Sequence, residues 1–378
     1  MSAPAYSAAA AAARVVHTFF ARHAPPAGTS VENRKTPDEA TIAALVDAAF
    51  WASLRREEGR SPRISLALLP PDRARQPMVF ERPLPLDPDR LARLAPAVER
   101  PGVHLGVWHF GTELRVWGAA RTLPDHCLVL EVVEPGLVVV KYRRGSDTGK
   151  FGNIAVLRGD QVREVDERSA RLPDAPALLA ALLGYDVVPL SWADARNELV
   201  QLAVSMRGHG RGGLLLVVPT GSETWKESIV QPVSYAISPP FSRLADLLRL
   251  PPADRGRAGG VDGVRRLVDA IAGLTAVDGA AVMTDRYEVL AFGAKIGRRD
   301  GYGAVECVSV TEPVVDDVPA QVSPSQLGGT RHLSAAQFVH DQPDALALVA
   351  SQDGRFTVFA WSPSEAMVHA HRIEVLLY

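Results

Sequence analysis

Gly328-Gly329-Thr330-Arg331-His332 leads into the run Leu333 to Val339 and then, past Asp344, into Ala345-Leu346-Ala347-Leu348-Val349-Ala350. Small, flexible residues at the start of a helix leave its first N–H groups unpaired and pointing outward, and Arg331 and His332 add positive charge beside them. The stretch reads as a loop, a helix and a buried strand, with a place to hold phosphate at the helix start. Upstream, Asp278-Gly279-Ala280 sets an acidic residue at the mouth of the apolar strand Ala280 to Thr284, where a carboxylate can hold a metal ion that bridges phosphates. Together the two stretches predict a nucleotide site on an α/β domain with a mixed central sheet flanked by helices.

The pattern resembles the diadenylate cyclase (DAC) domain superfamily. Asp278-Gly279-Ala280, a strand-turn-strand ending in Ala291-Phe292-Gly293-Ala294, then Gly329-Thr330-Arg331-His332, Asp344-Ala345 and Ser351-Gln352-Asp353-Gly354 follow the order and spacing of that family's DGA and GTRHR motifs, over roughly residues 240–378. The resemblance implies that Asp278 helps to hold a Mg2+ or Mn2+ ion. It also implies that Gly279, Ala280, Gly329, Thr330, Arg331, His332 and Ser351 line a nucleotide site, with Arg331 and His332 on the phosphates. The implied ligand is an adenine nucleotide or a cyclic dinucleotide.

The chain departs from the catalytic pattern at charged positions. Leu333 stands where active members carry a second Arg, Gln352 where they usually carry Glu, and Val339-His340 where they carry a Ser-Glu pair. Losing a cation weakens transition-state stabilisation more than ground-state binding, because negative charge shifts as the bond to pyrophosphate breaks. The pattern is similar to the DACNV branch, a probable sensor domain in which a DAC-like fold recognises nucleotides without making them. Three readings stand: a nucleotide sensor that signals to a downstream effector; an active diadenylate cyclase or other nucleotidyltransferase, catalytic through Asp278, that makes cyclic di-AMP from ATP; and an interaction domain with a vestigial pocket. An Arg elsewhere, such as Arg298 or Arg299 after the Phe292-Gly293 turn, could replace the charge missing at Leu333.

Before residue 256 the expectation is a second α/β module. Residues 1–30 read as a flexible Ala/Pro-rich tail, 31–255 as an N-terminal α/β module of DACNV type and 256–378 as the DAC-like nucleotide-binding domain, with Pro251 to Gly260 as the linker. Thr36-Pro37-Asp38-Glu39 predicts a helix capped by Thr36. Strands are expected at Ile64 to Leu69, Val103 to Trp108, Leu114 to Trp117, Leu128 to Val133, Leu137 to Tyr142, Leu214 to Val218 and Val233 to Ala236. Helices are expected at Ala175 to Leu183, Ala193 to Met206, Phe241 to Leu250 and Val264 to Leu274. Glu113 to Ala119 parallels Glu288 to Ala294, each closing a hairpin with aromatic-Gly-Ala. A shared hairpin solution is the simpler account, and a duplicated domain is the other.

The composition excludes several classes. With 47% hydrophobic residues, 22% charged residues and a net charge of -2, the chain has no basic face for DNA or RNA. No apolar run reaches the roughly 20 residues of a spanning helix, so a cytoplasmic protein without membrane contact is expected, with homo-oligomerisation left open. Cys127 and Cys307 sit in apolar runs and read as buried thiols. Gly145-Ser146-Asp147-Thr148-Gly149-Lys150 is one residue short of a P-loop and is followed by Phe151, so it reads as a hairpin turn beside a basic strand end. Gly208 to Gly213 lies between a helix and a strand and reads as a helix cap, with Arg211 as a lesser candidate for phosphate contact. His369 and His371 share a strand face but lack a third metal ligand.

Overall fold

The apolar runs sort into two sheets. In the computed structural model, which describes residues 5–23, 36–99, 102–144, 151–166, 198–251, 254 and 260–378, contacts divide the chain into a first unit, Met1–Asp166, and a second, Glu167–Leu377. The boundary expected at 255 therefore falls within the second unit, because strands on both sides of it join the same sheet. Most of the Pro/Gly-rich stretch 251–260, the P-loop-like turn 145–150 and the helix expected at Ala175 lie outside the described residues.

The first unit contains helices α1 (Ala9–Arg22), α2 (Glu39–Ser53) and α3 (Pro88–Val98). Its strands are β1 (Ile64–Leu68), β2 (Met78–Pro85), β3 (His104–Phe110), β4 (Glu113–Ala120), β5 (Leu128–Glu134), β6 (Leu137–Arg143), β7 (Phe151–Arg158) and β8 (Gln161–Glu164). They form an eight-stranded mixed sheet in the order β2-β4-β3-β1-β5-β6-β7-β8. Alternation along the strands sends Leu66, Leu105, Leu130 and Val138 to the helix-covered face, and Ala67, Trp117, Cys127 and Val129 to the other. Burial pushes the Cys127 thiol up to about 12, and Cys307 is half-buried.

Two expectations for this unit are corrected. The Ala-rich tail is helix α1, because Ala12, Ala13, Val16 and Phe20 make one helical stripe, and that stripe is buried in the core with Leu45 and Val46 of α2. The cap of α2 is Asp38, not Thr36: its carboxylate accepts from the Thr41 N–H at 2.8 Å, at the reach an N-cap side chain has to the third helical residue.

The second unit contains α4 (Glu198–Gly208), α5 (Arg243–Arg249), α6 (Gly260–Leu274) and α7 (Thr330–Asp341). Its strands are β9 (Gly213–Val218), β10 (Tyr235–Phe241), β11 (Ala280–Thr284), β12 (Val289–Ala294), β13 (Val308–Thr311), β14 (Ala320–Val322), β15 (Leu346–Ala350), β16 (Phe356–Ser362) and β17 (Met367–Arg372). The nine-stranded mixed sheet runs β10-β12-β11-β9-β15-β16-β17-β13-β14. One face packs Leu215, Met283 and Leu348 against Leu202, Leu244 and Ile271 of the helices. The other packs Leu216, Val282 and Ala347 against Ala335, Phe338 and Val339 of α7. His369 and His371 are buried in β17, bonded to Glu365 at 3.0 Å and to Thr311 at 2.7 Å.

The first seven positions of the two sheets correspond, β1 to β9, β2 to β10, β3 to β11, β4 to β12 and β5, β6, β7 to β15, β16, β17. Directions match as well: β1/β3 and β9/β11 are parallel, and every other neighbouring pair in the seven is antiparallel. Both outer strands, β2 and β10, contain prolines and slip register against the strand they pair with, as suits a sheet edge. Both aromatic-Gly-Ala hairpins fall at the same place, with Gly118 at φ +157° and Gly293 at φ +64°. The topology supports a duplicated domain over a shared hairpin solution. The repeats differ where β4 joins β5 through residues 121–127, since the equivalent connection from β12 to β15 carries β13, β14 and α7.

Helix α1 gives a direct test of the first unit's core. Phe20→Ala should destabilise that unit by about 3 kcal/mol, near the lower bound for a buried aromatic. Its denaturation midpoint should fall accordingly, whereas a tail residue would leave it unchanged.

Candidate functional site

Strand β9 runs parallel to β11, with Leu215 opposite Ala281, and antiparallel to β15, with Gly213 opposite Ala350. That polarity brings the residues before β9, those before β11 and those after β15 to one end of the sheet: Gly212, Asp278-Gly279 and Ser351-Gln352. Strand β12 returns with Ala294 opposite Ala280, so Lys295 joins the same end.

The first turn of α7 arrives at this end. A Cβ on Gly212 would lie 2.8 Å from Arg331 Nη1 and 3.4 Å from Gln352 Cγ, and Gly212 sits at φ +72°. Glycine there lets the guanidinium lie against the backbone. Gly329 occupies the N-cap of α7 with no side-chain cap, and Thr330 is exposed, so the helix's first N–H groups face outward. Arg331 is half-buried, whereas His332 is buried below it, packed edge-on to Phe359 at 6.2 Å and against Gly328. Burial pushes the His332 imidazole below its ordinary range, and Arg372 adds to this.

Asp278 is exposed and pairs with Lys295 at 2.5 Å. The Lys295 ammonium, with Arg331 behind it, holds the Asp278 carboxyl below the usual carboxylate range. Gly279, at φ +117°, is needed for approach, since a Cβ there would lie 2.5 Å from the Gly293 carbonyl carbon. Ala280 is buried and offers only backbone. Ser351 is half-buried and opens the β15–β16 turn, its N–H donating to Arg355 O at 2.9 Å.

The Gly208 to Gly213 segment also reaches this end. His209 Nδ1 accepts from the Arg211 N–H at 3.2 Å, and Gln352 Nε2 donates to the Arg211 carbonyl at 3.4 Å, leaving the Arg211 side chain exposed. Tyr235 stacks on Phe292 with ring centroids 4.7 Å apart and covers Gly293, placing an exposed aromatic beside Asp278. Lys295 and Tyr235 carry no motif, and only the pairing of β10, β11 and β12 reveals them.

Arg299 lies elsewhere. It pairs with Glu227 at 2.7 Å and its N–H donates to Asp341 at 2.9 Å, next to a cavity of about 140 Å³ lined by Val218, Trp225, Gln342 and Asp344. That cavity is at the opposite end of β9, so Arg299 does not replace the charge missing at Leu333. Lys295 is the cation the fold brings in.

The side chains fit a divalent ion poorly. Among the described residues no three His, Cys, Asp or Glu side chains gather to hold a metal. Asp278 has two cations as its charged neighbours. Where the resemblance implies further acids, Gln352 is neutral and His340 sits at the far end of α7 bonded to Asp341.

Residues 31–121 match the family model described as probable sensor domain DACNV. The match covers α2, β1, β2, α3, β3 and β4 of the first unit. No curated protein matches the chain. Solved structures match, among them a crystal structure of a double cysteine variant of DacA from Staphylococcus aureus, at 13% identity over 46% of this chain and 83% of that chain, with a TM-score of 0.24. No helix among the described residues is long and apolar enough to cross a membrane.

The buried His332 sets a pH dependence. Its folded-state pKa is depressed, so the unfolded chain takes up a proton more readily, and stability falls as pH drops below about 6.5 towards the folded value. The melting temperature of the natural protein should fall between pH 7 and pH 5, and His332→Gln should flatten that slope. Equal slopes would mean that His332 is open to solvent.

Proposed function

We propose that the second unit is a nucleotide-sensing module that binds ATP or a cyclic dinucleotide by its phosphates at the β9–β11–β15 end of the sheet, without turning it over. The observation that carries this reading is the convergence of Arg331, the uncapped start of α7, Gly212 and the Asp278–Lys295 pair at one edge. Arg331 offers a planar fork of donors to phosphate oxygens, and the N–H groups of Thr330 and Arg331, ahead of the His332 N–H that donates to the Gly329 carbonyl, add donors along the helix axis. Tyr235 offers a ring face to a base. The description of the model matched by residues 31–121 supports a sensing role for the chain as a whole.

The same residues argue against turnover. Leu333 is exposed on α7 and supplies no charge, and Gln352 supplies no carboxylate. Phosphoryl chemistry depends on cations placed where charge develops, so binding survives such losses better than catalysis does. In a sensor the bound state passes to a downstream effector.

Calorimetry with ATP and with cyclic di-AMP tests the binding. Arg331→Ala should lose roughly ten- to a hundredfold in affinity, the equivalent of a charge-assisted hydrogen bond of about 1.5–3 kcal/mol. Equal binding by both proteins, or none by either, would defeat the reading.

Chromatography of ATP incubations tests the rest. The natural protein should make negligible cyclic dinucleotide, and Leu333→Arg with Gln352→Glu should recover at most part of the activity. Many turnovers by the natural protein, stopped by Asp278→Asn, would establish the cyclase in place of the sensor.

A further inference from the structure

We infer that this site takes its nucleotide without a divalent cation, Lys295 supplying the positive charge that a metal would bring to the phosphates. The inference rests on the nucleotide reading above and goes beyond it by naming the form of the ligand, metal-free rather than metal-bound.

Three observations carry it. The carboxylate best placed to ligate a metal at this end, Asp278, is already bonded to Lys295 at 2.5 Å. A Mg2+ ion bound through a single carboxylate keeps several waters and draws its remaining ligands from phosphates. Here it would also have to displace an ammonium and sit beside a guanidinium, both repelling it. Next, the two positions where the resemblance implies further acids supply none: Gln352 turns to the Arg211 carbonyl and His340 lies a helix length away, while the carboxylate that does follow β15, Asp353, is paired with Arg355 at 3.4 Å. Finally, Lys295 is fixed in place by its backbone, since its carbonyl accepts from the Val230 N–H at 2.8 Å directly after the β11–β12 ladder. Its side chain is half-exposed.

An ion pair this open to water holds its partners weakly, so Lys295 can leave Asp278 for a phosphate at little cost. A lysine ammonium is a compact point charge with three donors, suited to a phosphate cluster of variable geometry. Asp278 is then the resting partner that keeps Lys295 aimed at the site. In this role the carboxylate competes with the ligand instead of recruiting a metal to it.

The two roles of Asp278 predict opposite behaviour. Calorimetry of the full chain with ATP, and separately with cyclic di-AMP, would be run in EDTA and in Mg2+, on the natural protein and on Lys295→Met, Lys295→Arg and Asp278→Asn. Melting temperatures would confirm that these exposed substitutions leave the fold intact. The natural protein should bind in EDTA within about threefold of its affinity in Mg2+. Lys295→Met should lose tenfold or more in EDTA, Lys295→Arg should keep most of the affinity, and Asp278→Asn should bind in EDTA at least as tightly as the natural protein. Binding that requires Mg2+, or Lys295→Met binding like the natural protein in EDTA, would overturn the inference and leave the nucleotide reading standing. No binding of either nucleotide in any condition would overturn both.

Discussion

The second unit depends on the hydrogen-bonded placement of β9 between β11 and β15. All six residues of β9 are buried, so the strand is held on both faces and on both edges. Because β11 runs with it and β15 against it, the segments that precede two strands and follow the third must emerge together. A one-residue slip would turn Leu214 and Leu216 towards the wrong face, so the packing that buries these side chains also fixes the register of the site. Gly212, Asp278 and Gln352 are thus brought together by core packing, with no direct attraction needed between them.

The repeated topology shows what this scaffold does without the site. In the first unit β1 lies between β3 and β5 just as β9 lies between β11 and β15, yet β4 leads to β5 through a short connection. The insertion in the second repeat brings α7, which covers a sheet face with Ala335, Phe338 and Val339 and delivers Arg331 to the sheet end. On the sheet face of the first unit that α1 to α3 leave uncovered, Ser65 pairs with Glu131 beside the smaller apolar cluster of Ala67, Trp117, Cys127 and Val129. The segment matched by the sensor-domain model therefore belongs to the repeat that lacks the Gly328 to His332 turn and α7.

Much of the second unit was legible because its signals are local. Ala280 to Thr284 and Ala345 to Ala350 are short apolar runs bounded by Asp or Gly, and Gly329 begins an apolar-periodic run, so strand, helix and motif reinforce one another in sequence. Proline obscures the edge strands: β2 gives no strand signal in sequence and β10 gives one only in its first residues, since Pro83, Pro85, Pro239 and Pro240 read as loop. The boundary expected at 255 failed for a related reason. A stretch rich in Pro and Gly reads as a linker, but here it falls between β10 and β11, two strands of one sheet. Helix α1 reads as a tail in sequence because alanine signals helix propensity without saying which face is buried.

Lys295 shows a different limit, and it bears most on function. Nothing in Ala294-Lys295-Ile296 distinguishes this lysine from any other at a strand end. Its position beside Asp278 follows from the β11–β12 ladder, whose register shifts between Ala280 and Val282 and again before Met283. Each shift changes which residue of β12 faces the mouth of β11, and Gly279 and Gly293 at positive φ allow the two backbones to close at that point. The charge beside Asp278 is thus set by backbone irregularities of the β11–β12 ladder. A motif comparison records the arginine missing at Leu333, but the cation at Lys295 is visible only once the strands are paired.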